Sequence, residues 1–110
     1  MMVAGTAAMA PTASAAERNY EVVVCTDGAY YYSTANVGGY NQNNQYVHTP
    51  NFQLNDLGYC GHQPRWWFKP NQSVEINVKN NGTGDWDRYY IKMSNCRAIN
   101  TSQRACDLPY

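Results

Sequence analysis

Charge is scarce in this sequence. Charged residues make up 15% of 110 positions, and eight Lys plus Arg are matched by eight Asp plus Glu. A chain with no excess of either sign has no long-range field to gather phosphates or anionic lipid. Nucleic acid is therefore not an expected partner, and neither is membrane insertion. Histidine occurs only twice, at His48 and His62. From Glu17 onward no stretch keeps an apolar period of 3.6 residues, which removes the signal for a packed amphipathic helix. Internal repeats, cofactor fingerprints and recognised catalytic motifs are absent too.

Catalytic chemistry has little to draw on. The two histidines could serve a small nuclease as acid and base, with Arg65 on the phosphate, but no cluster of Lys or Arg accompanies them. Asp85 and Asp87 flank Trp86; alternate strand positions lie about 6–7 Å apart, and the pair opens a turn, which suits solvation or capping better than glycoside hydrolysis. Cys60-Gly61-His62 sets a thiol near an imidazole without the paired cysteine spacing of structural zinc sites. No Asp-x-Asp-x-Asp-Gly loop is present to gather Asp27, Asp85 or Asp87 around calcium. The expectation is a protein that is not an enzyme and that carries no metal or cofactor.

Uncharged polar groups and phenols are abundant instead. Asn and Gln fill nineteen positions and Tyr ten. A surface of this kind suits exported binding proteins, where Tyr gives rigid contact area and amides adapt their hydrogen bonds.

Residues 1–16 carry no charge and are almost all small or apolar, and the composition changes at Glu17-Arg18. This reads as the remnant of a secretory signal peptide, with Ala13-Ser14-Ala15 or Ser14-Ala15-Ala16 as the cleavage site, although no positive charge precedes Arg18. Gly5, Thr6, Pro11, Thr12 and Ser14 interrupt the run, and it falls short of the roughly 20 residues that span a bilayer. Residues 17–110 are then a single secreted domain. The sequons at Asn71, Asn81 and Asn100 match the glycosylation rule, but the Ala-rich leader points to a bacterial extracellular protein that would leave them bare.

Four cysteines in a small exported domain predict two disulfides. Of three possible pairings, Cys25 with Cys60 and Cys96 with Cys106 is favoured, because the last two bracket a short polar loop.

Strands dominate the pattern. Glu21 to Cys25 reads as a strand buried on both faces, ending at Asp27-Gly28. Tyr30 to Thr34 reads as a second strand, in a hairpin with the first. Asn36 to Asn55 reads as a long ordered loop with one short strand near Gln45 to His48. Pro64 and Pro70 confine Arg65 to Lys69 to a short strand. Ser73 to Lys79 alternates as a half-buried strand, and Trp86 to Ser94 alternates after the Asn80–Asp85 turn, giving the clearest hairpin. Thr101 to Ala105 is expected to form a helical turn. The fold class is all-β: a small disulfide-stapled antiparallel β-sandwich, with a small barrel as the alternative.

Alternation also sorts the aromatic residues. If Tyr89, Ile91 and Met93 face the core, then Trp86, Arg88, Tyr90 and Lys92 face outward. If Trp66 and Phe68 point inward, Arg65, Trp67 and Lys69 point out. Trp67, Trp86, Tyr90, Arg65 and Arg88 are therefore candidate binding residues, joined by Tyr40 and Tyr46 of the Asn/Gln/Tyr-rich loop. The expected function is non-enzymatic binding of another secreted or cell-surface protein, as inhibitor of an exported hydrolase or as adaptor in an extracellular or toxin complex. The alternative is a lectin-like module binding a polysaccharide.

Overall fold

The computed structural model describes residues 18–26, 32–55 and 59–108. The expected leader, the Asp27-Gly28 turn, and Tyr30 and Tyr31 lie outside the described residues. The described residues are all-β, with two disulfides. Their strands are β1 (Glu21–Cys25), β2 (Tyr32–Tyr40), β3 (Tyr46–His48), β4 (Phe52–Gln53), β5 (Cys60–Gly61), β6 (Ser73–Asn80), β7 (Trp86–Lys92), β8 (Arg97–Ala98) and β9 (Gln103–Asp107), with a 3₁₀ turn at Met93–Asn95.

Two sheets form. The smaller has the order β5-β1-β9-β8, and the larger runs β3-β2-β6-β7 with β4 also paired to β2. The principal apolar cluster draws on both: Val22 and Val24 of β1 and Cys106 of β9 meet Ala35 and Val37 of β2 and Val74, Ile76 and Val78 of β6, with Phe68 among them. The three apolar side chains of β6 have no exposed surface, and each stabilises the fold by roughly 1.5–3 kcal/mol.

β1 is buried on both faces, as its unbroken apolar run implies. Val22 and Val24 enter the principal cluster, whereas Val23 and Cys25 pack with Ala105 and Cys60 on the other side. Its neighbours also explain the cysteines. Cys25 lies opposite Cys60 in the antiparallel β1/β5 register and the two are bonded; the second disulfide joins Cys96, at the end of the 3₁₀ turn, to Cys106 in β9. Both expected pairings are present.

Four element readings are corrected. First, β1 and β2 do not form a hairpin; they belong to different sheets, and β1 pairs in parallel with β9, from Glu21 opposite Gln103 to Cys25 opposite Asp107. Second, Thr101 to Ala105 is therefore no helical turn: Gln103 onward supplies a central strand, and the helical turn lies earlier, at Met93–Asn95. Third, Asn36 to Asn55 is less loop than expected, because β2 runs on to Tyr40 and pairs with β3, β4 and β6. Fourth, Arg65 to Lys69 is not a strand. Arg65 has φ 66°, in the left-handed region, and Phe68 alone bridges, to Tyr20 and Asn41.

The β6/β7 hairpin matches its reading, with Ser73 opposite Lys92 and Lys79 opposite Trp86. Its turn is held by Asn80, whose side chain accepts from the backbone N–H of Gly82 and Thr83. β7 alternates as expected, with Asp87, Tyr89 and Ile91 half-buried and Trp86, Arg88, Tyr90 and Lys92 exposed. β6 departs from a half-buried strand. Glu75 and Asn77, on the face away from the core, are buried as well.

Candidate functional site

The burial of Glu75 and Asn77 comes from polar neighbours on the outer face of the larger sheet. Registers align that face row by row. Gly38 pairs with both His48 and Glu75, and Glu75 pairs with Tyr90; beside them Asn36, Asn77 and Arg88 form the next row, and Lys79 and Trp86 a third. Alternation sends the side chains of all of these to one side.

Glu75 is the hub. Its Oε1 accepts from the Tyr46 hydroxyl at 2.8 Å, and its Oε2 meets His48 Nε2 at 2.8 Å and the Asn77 amide at 2.8 Å, with Arg88 Nε at 3.6 Å. Burial alone would raise this carboxyl, but the hydrogen bonds from Asn77, His48 and Tyr46 outweigh it and hold the group down at about 2. Burial and the bond to Glu75 push the Tyr46 phenol up to about 12.

Asn77 extends the network. Its amide nitrogen also donates to Asn36 Oδ1 at 2.8 Å, its Oδ1 accepts from Arg88 Nε at 3.0 Å, and Asn36 donates onward to Asn51 at 2.9 Å. Both N–H donors and the oxygen of the Asn77 amide are thereby engaged, which fixes its orientation. Gly38 leaves the space in which this is built. A Cβ there would lie 2.7 Å from the His48 ring and 3.3 Å from Glu75 Cδ.

Above the network lies an open depression of about 430 Å³ lined by Asn36, His48, Glu75, Asn77, Trp86 and Arg88. Trp86 and Tyr90 are exposed at its β7 side, at 45% and 63%. The Tyr40 and Tyr46 rings meet edge to face at 5.1 Å, and Tyr46 stands 5.6 Å from the His48 ring. The site thus offers aromatic faces beside a fixed array of amide, carboxylate and guanidinium groups.

The structure brings five of the seven sequence-chosen binding residues to this face: Trp86, Arg88, Tyr90, Tyr40 and Tyr46. The other two lie elsewhere. Arg65 is exposed, with its backbone N–H on Glu21 Oε2 at 2.7 Å beside the smaller sheet, and Trp67 is half-buried outside any strand. His48 and His62 do not form a pair, because His62 sits by Glu21 and Gln103. The loop from Asn41 to Gln45 is a tight β2/β3 turn whose backbone is tied to Asn41 Oδ1.

Sequence reasoning missed Glu75, Asn77, Asn36 and Gly38. The signal was available for the first two: the alternation that buries Val74, Ile76 and Val78 sends Glu75 and Asn77 to the same side as Arg88 and Tyr90. Among the described residues no group of three His, Cys, Asp or Glu could hold a metal ion, and no helix is long and apolar enough to cross a membrane. Compared with protein-family models, curated proteins and solved structures, the chain matches none.

Proposed function

We propose that the chain is an exported, non-enzymatic binding module that takes a polysaccharide on the outer face of the larger sheet. The observation that carries this reading is the pre-built polar array of Asn36, Asn77, Glu75 and Arg88 beneath exposed Trp86 and Tyr90. Sugar rings present apolar faces to aromatic side chains and hydroxyls to paired donors and acceptors. A rigid array spends little entropy on ordering when a ligand binds.

Binding fits this carboxylate better than acid–base work does. Both oxygens of Glu75 are engaged and its proton affinity is low, so it is a weak base near neutral pH. The two disulfides are compatible with an extracellular setting.

Depletion of the purified, oxidised chain by insoluble cellulose, chitin and bacterial cell-wall glycan tests the proposal. At least one polymer is expected to retain it, and Trp86→Ala should weaken retention about tenfold, equivalent to about 1.4 kcal/mol. Retention unchanged in a Trp86→Ala, Tyr90→Ala double variant would place the ligand elsewhere.

A protein partner is the second reading, favoured by the exposed Tyr40 and Tyr46 pair beside a depression of about 290 Å³ formed with Asn44, Lys69 and Gln72. Stoichiometric capture of one protein that is lost in Tyr40→Ala, with no glycan retained, would make it the better account.

A further inference from the structure

Resting on the polysaccharide reading, we infer that the ligand is an acidic polysaccharide whose carboxylates lie along β7. The outward positions of this edge strand read Trp86, Arg88, Tyr90, Lys92, an alternation of ring and cation at successive two-residue steps of roughly 7 Å. Lys79, opposite Trp86 on β6, adds a third cation on the same face. The one carboxylate among these rows is Glu75. Three cations less one carboxylate leave two positive charges on this face, in a chain whose total is zero.

The remaining acids nearby do not cancel this field. Asp87 points to the opposite side, where its Oδ2 accepts from the Tyr32 hydroxyl at 2.7 Å, and Asp85 belongs to the turn beyond the strand. Glu75 itself is masked: three neutral or cationic partners surround its oxygens and Arg88 Nε lies 3.6 Å away. Arg88 uses its Nε on Asn77, so its terminal nitrogens remain to meet a carboxylate side by side, the geometry a guanidinium fork favours. Its side chain is 59% exposed, open to solvent for that contact.

Neutral sugars would make use of the rings and leave the cations idle. Nucleic acid would use rings and cations as well, but three cations on a neutral chain are few for a polyphosphate, and the Asn36, Asn77 and Glu75 array has no role in tracking a phosphate backbone.

Titration calorimetry with polygalacturonate, the same polymer fully methyl-esterified, and a single-stranded oligothymidylate tests the inference at 20 and 200 mM NaCl. The carboxylate polymer should bind at least tenfold tighter than its ester at low salt, and that advantage should shrink at high salt as screening sets in. Lys79→Gln combined with Lys92→Gln should lower polygalacturonate affinity about tenfold and flatten the salt dependence. Equal binding of acid and ester would overturn the inference and leave the polysaccharide reading standing. Tighter binding of the oligonucleotide would overturn the ligand class. Failure of the whole glycan panel, these polymers included, would overturn both readings.

Discussion

Glu75 shows how a single residue can tie stability to pH. Its carboxyl is held at about 2, below its ordinary value of 4.5, by partners that exist only in the folded chain. A group depressed on folding stabilises the native state above its unfolded value, and that contribution fades as pH falls through the folded one. The window is thus from about pH 4.5 down to about pH 2, and the amount at stake is on the order of 3 kcal/mol. Glu75→Gln should be destabilised at pH 7 relative to the parent, and the gap should close as the pH approaches 2. Chemical denaturation of both proteins across this range checks it; a gap independent of pH would mean that the carboxylate charge is not what the network holds.

At the scale of elements, the test falls on the contact between β4 and β5. A Cβ on Gly61 would run into the Gln53 carbonyl oxygen, a backbone atom that cannot swing aside as a side chain can. Gly61→Ala should therefore cost about 1–3 kcal/mol, read as a lower denaturation midpoint with both disulfides intact. A midpoint unchanged from the parent would show that β5 can shift freely. The elements that the sequence disclosed are those whose own side chains decide their state. The alternation in β6 and β7 and the apolar run of β1 needed no knowledge of partners. Arg65 to Lys69 misled because Trp66, Trp67 and Phe68 suit a strand by type, whereas the left-handed backbone at Arg65 breaks it. β9 was hidden for the opposite reason: Gln103, Arg104 and Asp107 give no apolar alternation, and the strand is set by its place between β1 and β8. The site followed the same division. Trp86, Arg88 and Tyr90 could be read from one strand, but the meeting of His48 and Asn77 on Glu75, with Asn36 behind Asn77, needs three strands in register.

The first and last of the described strands close the fold together. Glu21 pairs with Gln103, and Leu108 donates its backbone N–H to the Cys25 carbonyl at 2.9 Å. Ending the chain after Asn100 would remove β9 and the partner of Cys96, and with them the centre of the smaller sheet. Such a chain should lose cooperative thermal unfolding and expose one reactive thiol, measured by calorimetry and thiol titration. Cooperative unfolding within a few degrees of the parent would contradict a central role for β9.

This closure also sets a schedule. Loop-closure entropy must be met before contacts between distant parts of the chain can form. Here one central strand of the smaller sheet is the first of the described strands along the chain and its parallel neighbour the last. Until β9 has been made, β1 lacks its parallel neighbour, so the smaller sheet can close only after every other described strand is in hand.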